Sequence, residues 1–169
     1  NEYSPILEGQ SSEELKIKVY AMLSDNEENF NYYIDSIAKP IKKNRLNIRS
    51  VKFFADGSLG SRGACLIKPY KDKISTNGFM KQEINSYEKK LAKLKNNGFQ
   101  ACTHAIGDSA NRTILKSYSK ILKESNDLRW RIEHAQCIKP DDLKFLDVIQ
   151  TIYYFDKKEY NRKFFYFST

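Results

Sequence analysis

Residues 51–56 (VKFFAD) predict a β-strand with one buried face, because successive side chains of a strand lie on opposite sides of the sheet. Val51, Phe53 and Ala55 would share the buried face, which places Lys52, Phe54 and Asp56 on the opposite one. A lysine within such a strand is unusual, because burying an unpaired ammonium group costs much free energy. The glycine-rich residues 56–63 (DGSLGSRG) then predict a turn that leads the chain out of the sheet.

The same kind of pattern predicts strands and helices in alternation over most of the chain. The predicted strands are residues 15–23, 46–55, 99–104, 128–134 and 148–154, and the predicted helices are 26–38, 82–96, 110–124 and 140–146. Residues 1–10 and 62–80 are predicted loops, and Asp108 or Ser109 is the predicted N-cap of the third helix. This alternation favours an α/β fold with a parallel sheet.

Two parallel-sheet architectures satisfy this order of elements, an open doubly wound sheet and a (β/α)₈ TIM barrel. No GxGxxG sequence follows a predicted strand, which disfavours a dinucleotide-binding sheet. A complete barrel takes about 250 residues, so a chain of 169 residues corresponds to a partial barrel. The first residue is Asn1 rather than Met, from which we expect an internal piece of a longer protein.

Charge and cysteine content change this picture little. The formal net charge is +8, but the lysines are spread along the predicted helices, and the densest basic patch is residues 39–45. We therefore expect no nucleic-acid partner, although a basic, non-enzymatic interaction module stays an alternative. Three cysteines without CxxC spacing are typical of a reducing compartment, so we expect a cytoplasmic protein, and no apolar run is long enough to predict a membrane span.

The candidate chemistry lies where the predicted strands end. His104 and His134, the two histidines of the chain, close successive strands, and Lys52 lies in the strand before them. In a parallel barrel the carboxyl ends of the strands converge on one face, and imidazole is the commonest metal ligand. Spacing alone leaves open an α/β small-molecule binding domain in which both histidines are structural and the lysine is ion-paired or extends to solvent.

Three segments carry a family resemblance, and they follow one another in the order VKFFADGSLGSRGA, THAIGDSAN and RIEHAQCIKPDD. They resemble the amidohydrolase superfamily, and within it amidohydrolase family 3, which includes N-substituted formamide deformylases. The resemblance runs through about residues 15–150. It implies a metal-dependent hydrolase of carbon–nitrogen bonds other than peptide bonds, built on a (β/α)₈ barrel of which this chain supplies roughly strands 3 to 7. A small-molecule amide is the implied substrate.

The resemblance also implies a metal site. The lysine of the family's first segment is carboxylated in related members, where it bridges two metal ions, and it matches Lys52. The ligand histidines of the other two segments match His104 and His134. One or two divalent ions, with zinc expected, would bind there. The neighbouring polar residues are expected to orient ligands or substrate, or alternatively to form ion pairs and caps; they are Asp56, Arg62, Asp108, Glu133 and Gln136.

Two expected features of the family have no counterpart in the chain. The first-strand HxH metal pair is absent, and so is the eighth-strand aspartate that resembles a general base, so the catalytic residue stays unassigned. Residues 151–169 match no family pattern and are rich in Tyr, Phe and Lys. We expect residues 1–150 to form a partial barrel and residues 151–169 a divergent or spurious tail, with a divergent seventh strand at 151–155 as the alternative.

Overall fold

A mostly parallel β-sheet forms the centre of the computed structural model, which describes residues 4–11, 16–123, 126–145 and 152–154. Its strands are β1 (Val19–Ser24), β2 (Ile41–Lys43), β3 (Leu46–Phe54), β4 (Gln100–Ala105), β5 (Arg131–His134) and β6 (Ile152–Tyr154). β1, β3, β4, β5 and β6 pair in this order and in parallel, while β2 pairs antiparallel with the start of β3. The predicted α/β class is confirmed, and over the described ranges the sheet does not close into a complete barrel.

Helices cover one face of the sheet, and all but the first, which precedes β1, lie between strands. They are α1 (Ser4–Ser11), α2 (Glu27–Asn29) continued by a π-helix (Phe30–Ile37), α3 (Ile84–Asn96), α4 (Asp108–Ile121) and a 3₁₀ helix (Pro140–Phe145). The predicted apolar stripe of α3 is buried at Tyr87, Leu91 and Leu94. Among the described helices, none combines the length and apolarity that crossing a bilayer requires.

The helix-covered face of β3 and β4 forms the hydrophobic core. Phe53 is fully buried, and its ring meets the Tyr87 ring edge-on with centroids 5.1 Å apart. The Thr103 hydroxyl lies between two buried phenols, 2.7 Å from the Tyr87 oxygen and 2.8 Å from the Tyr118 oxygen. These hydroxyls satisfy one another, so both phenols are buried with a hydrogen-bond partner.

Two glycines allow the loops after β3 and β4 to pack tightly. A Cβ atom at Gly107 would lie 2.0 Å from the carbonyl oxygen of Cys65, and one at Gly78 would lie equally close to that of Ala64. Gly78 also has φ +78°, a left-handed conformation that side chains rarely adopt. The long loop of residues 62–80 therefore folds back against the carboxyl edge of the sheet.

The amino-terminal predictions need correction. Residues 1–10 were predicted to be a loop, but Ser4–Ser11 is helical, and Ile6 packs against the core. The strand predicted over residues 15–23 begins only at Val19, because β3, the strand it pairs with, starts at Leu46. The hairpin of β2 and β3 was missed, and it turns through Asn44 with φ 51°.

Several later boundaries also differ from the prediction. The helix predicted from residue 26 is mostly a π-helix, and α4 begins at Asp108 with Gly107 as its N-cap, so neither Asp108 nor Ser109 is the cap. β5 begins at Arg131 rather than at residue 128, since Arg129 has φ 54° and breaks the extended chain. β6 pairs in parallel with β5, and the remainder of residues 146–169 lies outside the described ranges.

Candidate metal centre

Lys52 lies on the face of the sheet that the helices leave open. It pairs in register with Ser24 of β1 and Cys102 of β4 and is partly buried. Burial lowers the pKa of the Lys52 ammonium from its ordinary value; Arg131 acts in the same direction, and the Glu133 carboxylate opposes both. The lysine at this position is thus held in a partly desolvated environment, as its place in an apolar strand predicts.

His104 lies on the same open face of the sheet, one pleat beyond Cys102. Its Nε2 atom is 3.4 Å from the carbonyl oxygen of Gly57 and 3.5 Å from a carboxylate oxygen of Asp56. Because a carbonyl oxygen only accepts, the Nε2 atom that faces it carries the proton, which leaves the lone pair on Nδ1. Burial lowers the pKa of the His104 imidazole, so this ring is neutral at pH 7, the form that binds metals.

His134 reaches the same place by a break in the strand pattern. Its register partner in β4 is Ala105, so strict alternation would point its side chain toward the helices. Instead His134 and Ala135 have φ values of 74° and 47°, and the His134 ring centroid lies 4.7 Å from that of His104. The left-handed backbone at the end of β5 therefore brings the two imidazole rings together.

Asp56 forms a clamp between two loops. Its buried carboxylate accepts hydrogen bonds from the backbone N–H groups of Cys65 at 2.9 Å, Ile106 at 3.0 Å and Gly107 at 2.8 Å. Its contact with the His104 ring is longer. The carboxylate thus joins the loops after β3 and β4, and through this clamp it positions the histidine.

The other predicted polar residues have separate partners. Glu133 pairs with Arg131 at 2.7 Å on the open face and is in register with His104. Arg62 pairs with Asp72 at 2.8 Å in the long loop. Asp108 accepts from the backbone N–H of Ile67 at 2.8 Å and lies 3.5 Å from the Lys139 ammonium, while Gln136 is exposed. Of these, only Glu133 shares the open face with Lys52 and His104.

Phe54 is a site residue that sequence reasoning missed. Its ring lies 5.0 Å from the Lys52 nitrogen and 5.6 Å from the His104 ring, and it is 48% exposed. The period-two pattern already placed Phe54 on the same face as Lys52, and this was the available signal. An exposed aromatic ring between two candidate ligands forms the floor of the site.

The donor set fits part of a metal site. Within the described ranges, no three His, Cys, Asp or Glu side chains are close enough together to hold a metal ion. The adjacent imidazoles of His104 and His134 are suitable nitrogen ligands for a divalent ion. Lys52 lies on the same face but becomes a ligand only when its ammonium charge is lost.

Comparison with known proteins agrees with this chemistry. The sequence matches the amidohydrolase family over residues 1–155, so the match extends past residue 150, where the resemblance was expected to end. The Bacillus subtilis (strain 168) protein named "Putative amidohydrolase YtcJ" is 36% identical over 89 residues, which are 53% of this chain and 17% of that protein. This chain therefore spans about a sixth of that relative.

Two solved structures share the fold. They are crystal structures of uncharacterized metal-dependent hydrolases from Pyrococcus horikoshii OT3 and Pyrococcus furiosus, with sequence identities of 31% and 29% and a TM-score of 0.76 for each. The similarity covers 88% of this chain and 29% and 30% of those chains. Those two proteins are metal-dependent hydrolases, and the family match over residues 1–155 places this chain by sequence: it belongs to the amidohydrolase family.

Proposed function

We propose that this chain carries part of the active site of a metal-dependent hydrolase that cleaves non-peptide carbon–nitrogen bonds, such as those of formamides and other small amides. The observation that carries the proposal is the convergence of His104 and His134, whose ring centroids are 4.7 Å apart, on the open face that also bears Lys52. Membership of the amidohydrolase family supports it. Zinc is the proposed ion, because imidazole nitrogens suit it.

Lys52 would complete the protein's share of the ligands after reaction with carbon dioxide. The neutral amine attacks the carbon of CO₂, an N–C bond forms, and a proton leaves to solvent, which yields an anionic carbamate with two oxygen donors. The nearby Glu133 carboxylate is already paired with Arg131. This pairing offsets the repulsion that a free carboxylate would exert on the carbamate.

Two histidines of this chain would bind the ion, and neighbouring groups would orient their rings. His104 would ligate through Nδ1 while its Nε2–H faces the Gly57 carbonyl oxygen, a partner that fixes the orientation of the ring. His134 would ligate from the left-handed end of β5. A divalent ion bound by these residues supplies a Lewis acid that lowers the pKa of water and polarises an amide carbonyl.

Zinc titration tests the ligand set. We expect the 169-residue chain alone to bind Zn²⁺ weakly and to turn over no amide, because two imidazoles and one lysine leave ligand positions to water. His104→Ala and His134→Ala should each reduce zinc affinity measured by calorimetry at least tenfold. Cys137→Ser, which removes a thiol from the loop after β5, is the control and should change nothing.

Two results would contradict the proposal. Zinc affinity that survives in the double variant His104→Ala, His134→Ala would show that the metal binds elsewhere. A complete gene product that is loaded with zinc yet hydrolyses no formamide or other small amide would remove the proposed reaction. Lys52→Ala, compared with Lys71→Ala in the exposed part of the long loop, tests the lysine in the same assays.

A further inference from the structure

A cleft of about 410 Å³ opens beside the candidate metal centre. It lies where β1 and β3 end, and its lining residues are Ser24, Asp25, Lys52, Phe54, Lys81 and Gln82. This volume falls within the range of roughly 300–1,000 Å³ that small-molecule sites occupy. Since Lys52 lines the cleft, a molecule held there would lie next to the proposed ligands.

Backbone hydrogen bonds hold the far wall of the cleft in place. The N–H of Lys81 donates to the carbonyl oxygen of Ala55 at 2.7 Å, which fixes the loop before α3 against the end of β3. The Gln82 side-chain amide donates to the carbonyl oxygen of Phe54 at 3.4 Å and to a carboxylate oxygen of Asp25 at 3.3 Å. A backbone hydrogen bond thus fixes the position of Lys81, so its side chain is not needed to hold the loop in place.

The Lys81 ammonium lies above an exposed aromatic ring. Its nitrogen is 5.8 Å from the Phe54 centroid, within the range of a cation–π contact. Among the described residues no carboxylate lies within ion-pair distance of it. The one carboxylate that lines the cleft, Asp25, is engaged by Lys90 at 2.5 Å. A positive charge without a counterion therefore stands over the flat apolar floor of the cleft.

We propose that this cleft is a substrate subsite for an amide that carries an anionic group, with a carboxylate held by Lys81 and the adjoining flat, apolar carbon skeleton stacked on Phe54. This inference rests on the proposed function, because it places the amide beside Lys52, His104 and His134. The subsite would therefore select acidic over neutral amides through a charge-assisted contact.

A matched pair of formamides tests the subsite in the zinc-loaded complete gene product. We expect kcat/KM for 4-formamidobenzoate to exceed that for 4-formamidobenzamide, and Lys81→Ala to lower only the former, by about tenfold. Lys81→Arg should restore most of the preference. Lys71→Ala, which removes an exposed lysine of the long loop that precedes Lys81, should leave both rates unchanged. Equal rates for the two formamides, unaltered in Lys81→Ala, would overturn the subsite and leave the hydrolase proposal standing.

A binding measurement separates this inference from the reaction. Saturation-transfer NMR should show that benzoate binds the complete gene product severalfold more tightly than benzamide. Lys81→Ala should abolish this difference, and Phe54→Leu should weaken the binding of both ligands. Benzoate binding that depends on Lys81, without turnover of either formamide, would support the subsite and reject the proposed reaction. Benzamide bound as tightly as benzoate would reject the subsite.

Discussion

The two faces of the sheet are built from adjacent residues yet differ in almost every property. The helix-covered face carries Val51, Phe53 and Thr103, all buried to within 1% exposure, and its polar atoms satisfy one another. The open face carries Lys52 and His104, which are partly buried, and an aromatic ring that is half exposed. One strand thus places alternate side chains in the core and on the face that bears the candidate ligands.

The comparison shows why neighbouring substitutions should have opposite consequences. Side chains on the covered face fill a dense core, where lost volume is felt directly. On the open face Lys52, Phe54 and His104 are only partly buried, so their removal should alter binding more than unfolding. The period of two separates the two effects within a single strand.

The largest contrast should come from Phe53 and Phe54. Phe53→Ala should lower the free energy of unfolding by about 3–5 kcal/mol, because it leaves a cavity against Tyr87. Phe54→Ala should lower it by less than about 1 kcal/mol, since that ring is already 48% exposed. Urea denaturation of both variants checks the contrast, and equal losses would refute the distinction between the faces.

The next largest effect should come from Asp56, at the edge where both faces meet the loops. Asp56→Asn should destabilise the protein by roughly 2–3 kcal/mol, because the charge that accepts three backbone hydrogen bonds is lost. Asp72→Asn is the matched control. It breaks only an exposed ion pair with Arg62 and should be far less destabilising than Asp56→Asn. If Asp72→Asn were as unstable as Asp56→Asn, the hydrogen bonds of the clamp would stabilise the fold no more than an exposed ion pair does.

A smaller effect is expected at Thr103 on the covered face. Thr103→Val keeps the shape but leaves the phenols of Tyr87 and Tyr118 without their shared partner, which should cost about 1–2 kcal/mol. Thr113→Val in α4 loses only a bond to the carbonyl oxygen of Ser109 and should cost less. Thermal unfolding compares the two, and the idea of a shared hydroxyl fails if Thr113→Val is the more damaging.

The smallest change in stability should come from Lys52 on the open face. Lys52→Met should alter the free energy of unfolding at pH 7 by no more than about 0.5 kcal/mol while it weakens zinc binding. The folded-state pKa of Lys52 is lowered by burial, so its neutral form stabilises the fold only at high pH, and this contribution is lost as pH falls through that pKa. The free energy of unfolding of wild type should therefore increase relative to that of Lys52→Met as the pH rises toward 10.5, the ordinary pKa of lysine. Urea titrations at pH 7 and pH 10 measure the difference.

Sequence patterns predicted the sheet and helices well where tertiary packing follows the local period. The stripe through Tyr87 and Leu91 is an example, because one face of a helix can be read from spacing alone. The β2 hairpin escaped prediction since its strand has three residues and its turn depends on a positive φ at Asn44. The π-helix was predicted only as a helix, because its hydrogen-bond pattern leaves no distinct spacing of apolar residues.

The candidate site was less accessible to local reasoning. Strand alternation would have assigned the His134 side chain to the covered face, whereas its place at the end of a strand, like that of His104, and the family resemblance both grouped the two histidines. No residue pattern predicts the left-handed backbone at Ala135 that turns the His134 ring toward His104. Lys81 could not be predicted either, since it reaches Phe54 only through a loop folded back by hydrogen bonding to Ala55. The ligand roles of Lys52, His104 and His134 stay predictions until zinc binding is measured.

The Asp56 clamp also dictates an order of events during synthesis. The carboxylate lies at the end of β3, yet two of its three donors, Ile106 and Gly107, belong to the loop after β4. Until that loop has left the ribosome, the carboxylate should remain hydrated, because burying a charge without hydrogen-bond donors costs free energy. The end of β3 should therefore stay hydrated while α3 and β4 are made.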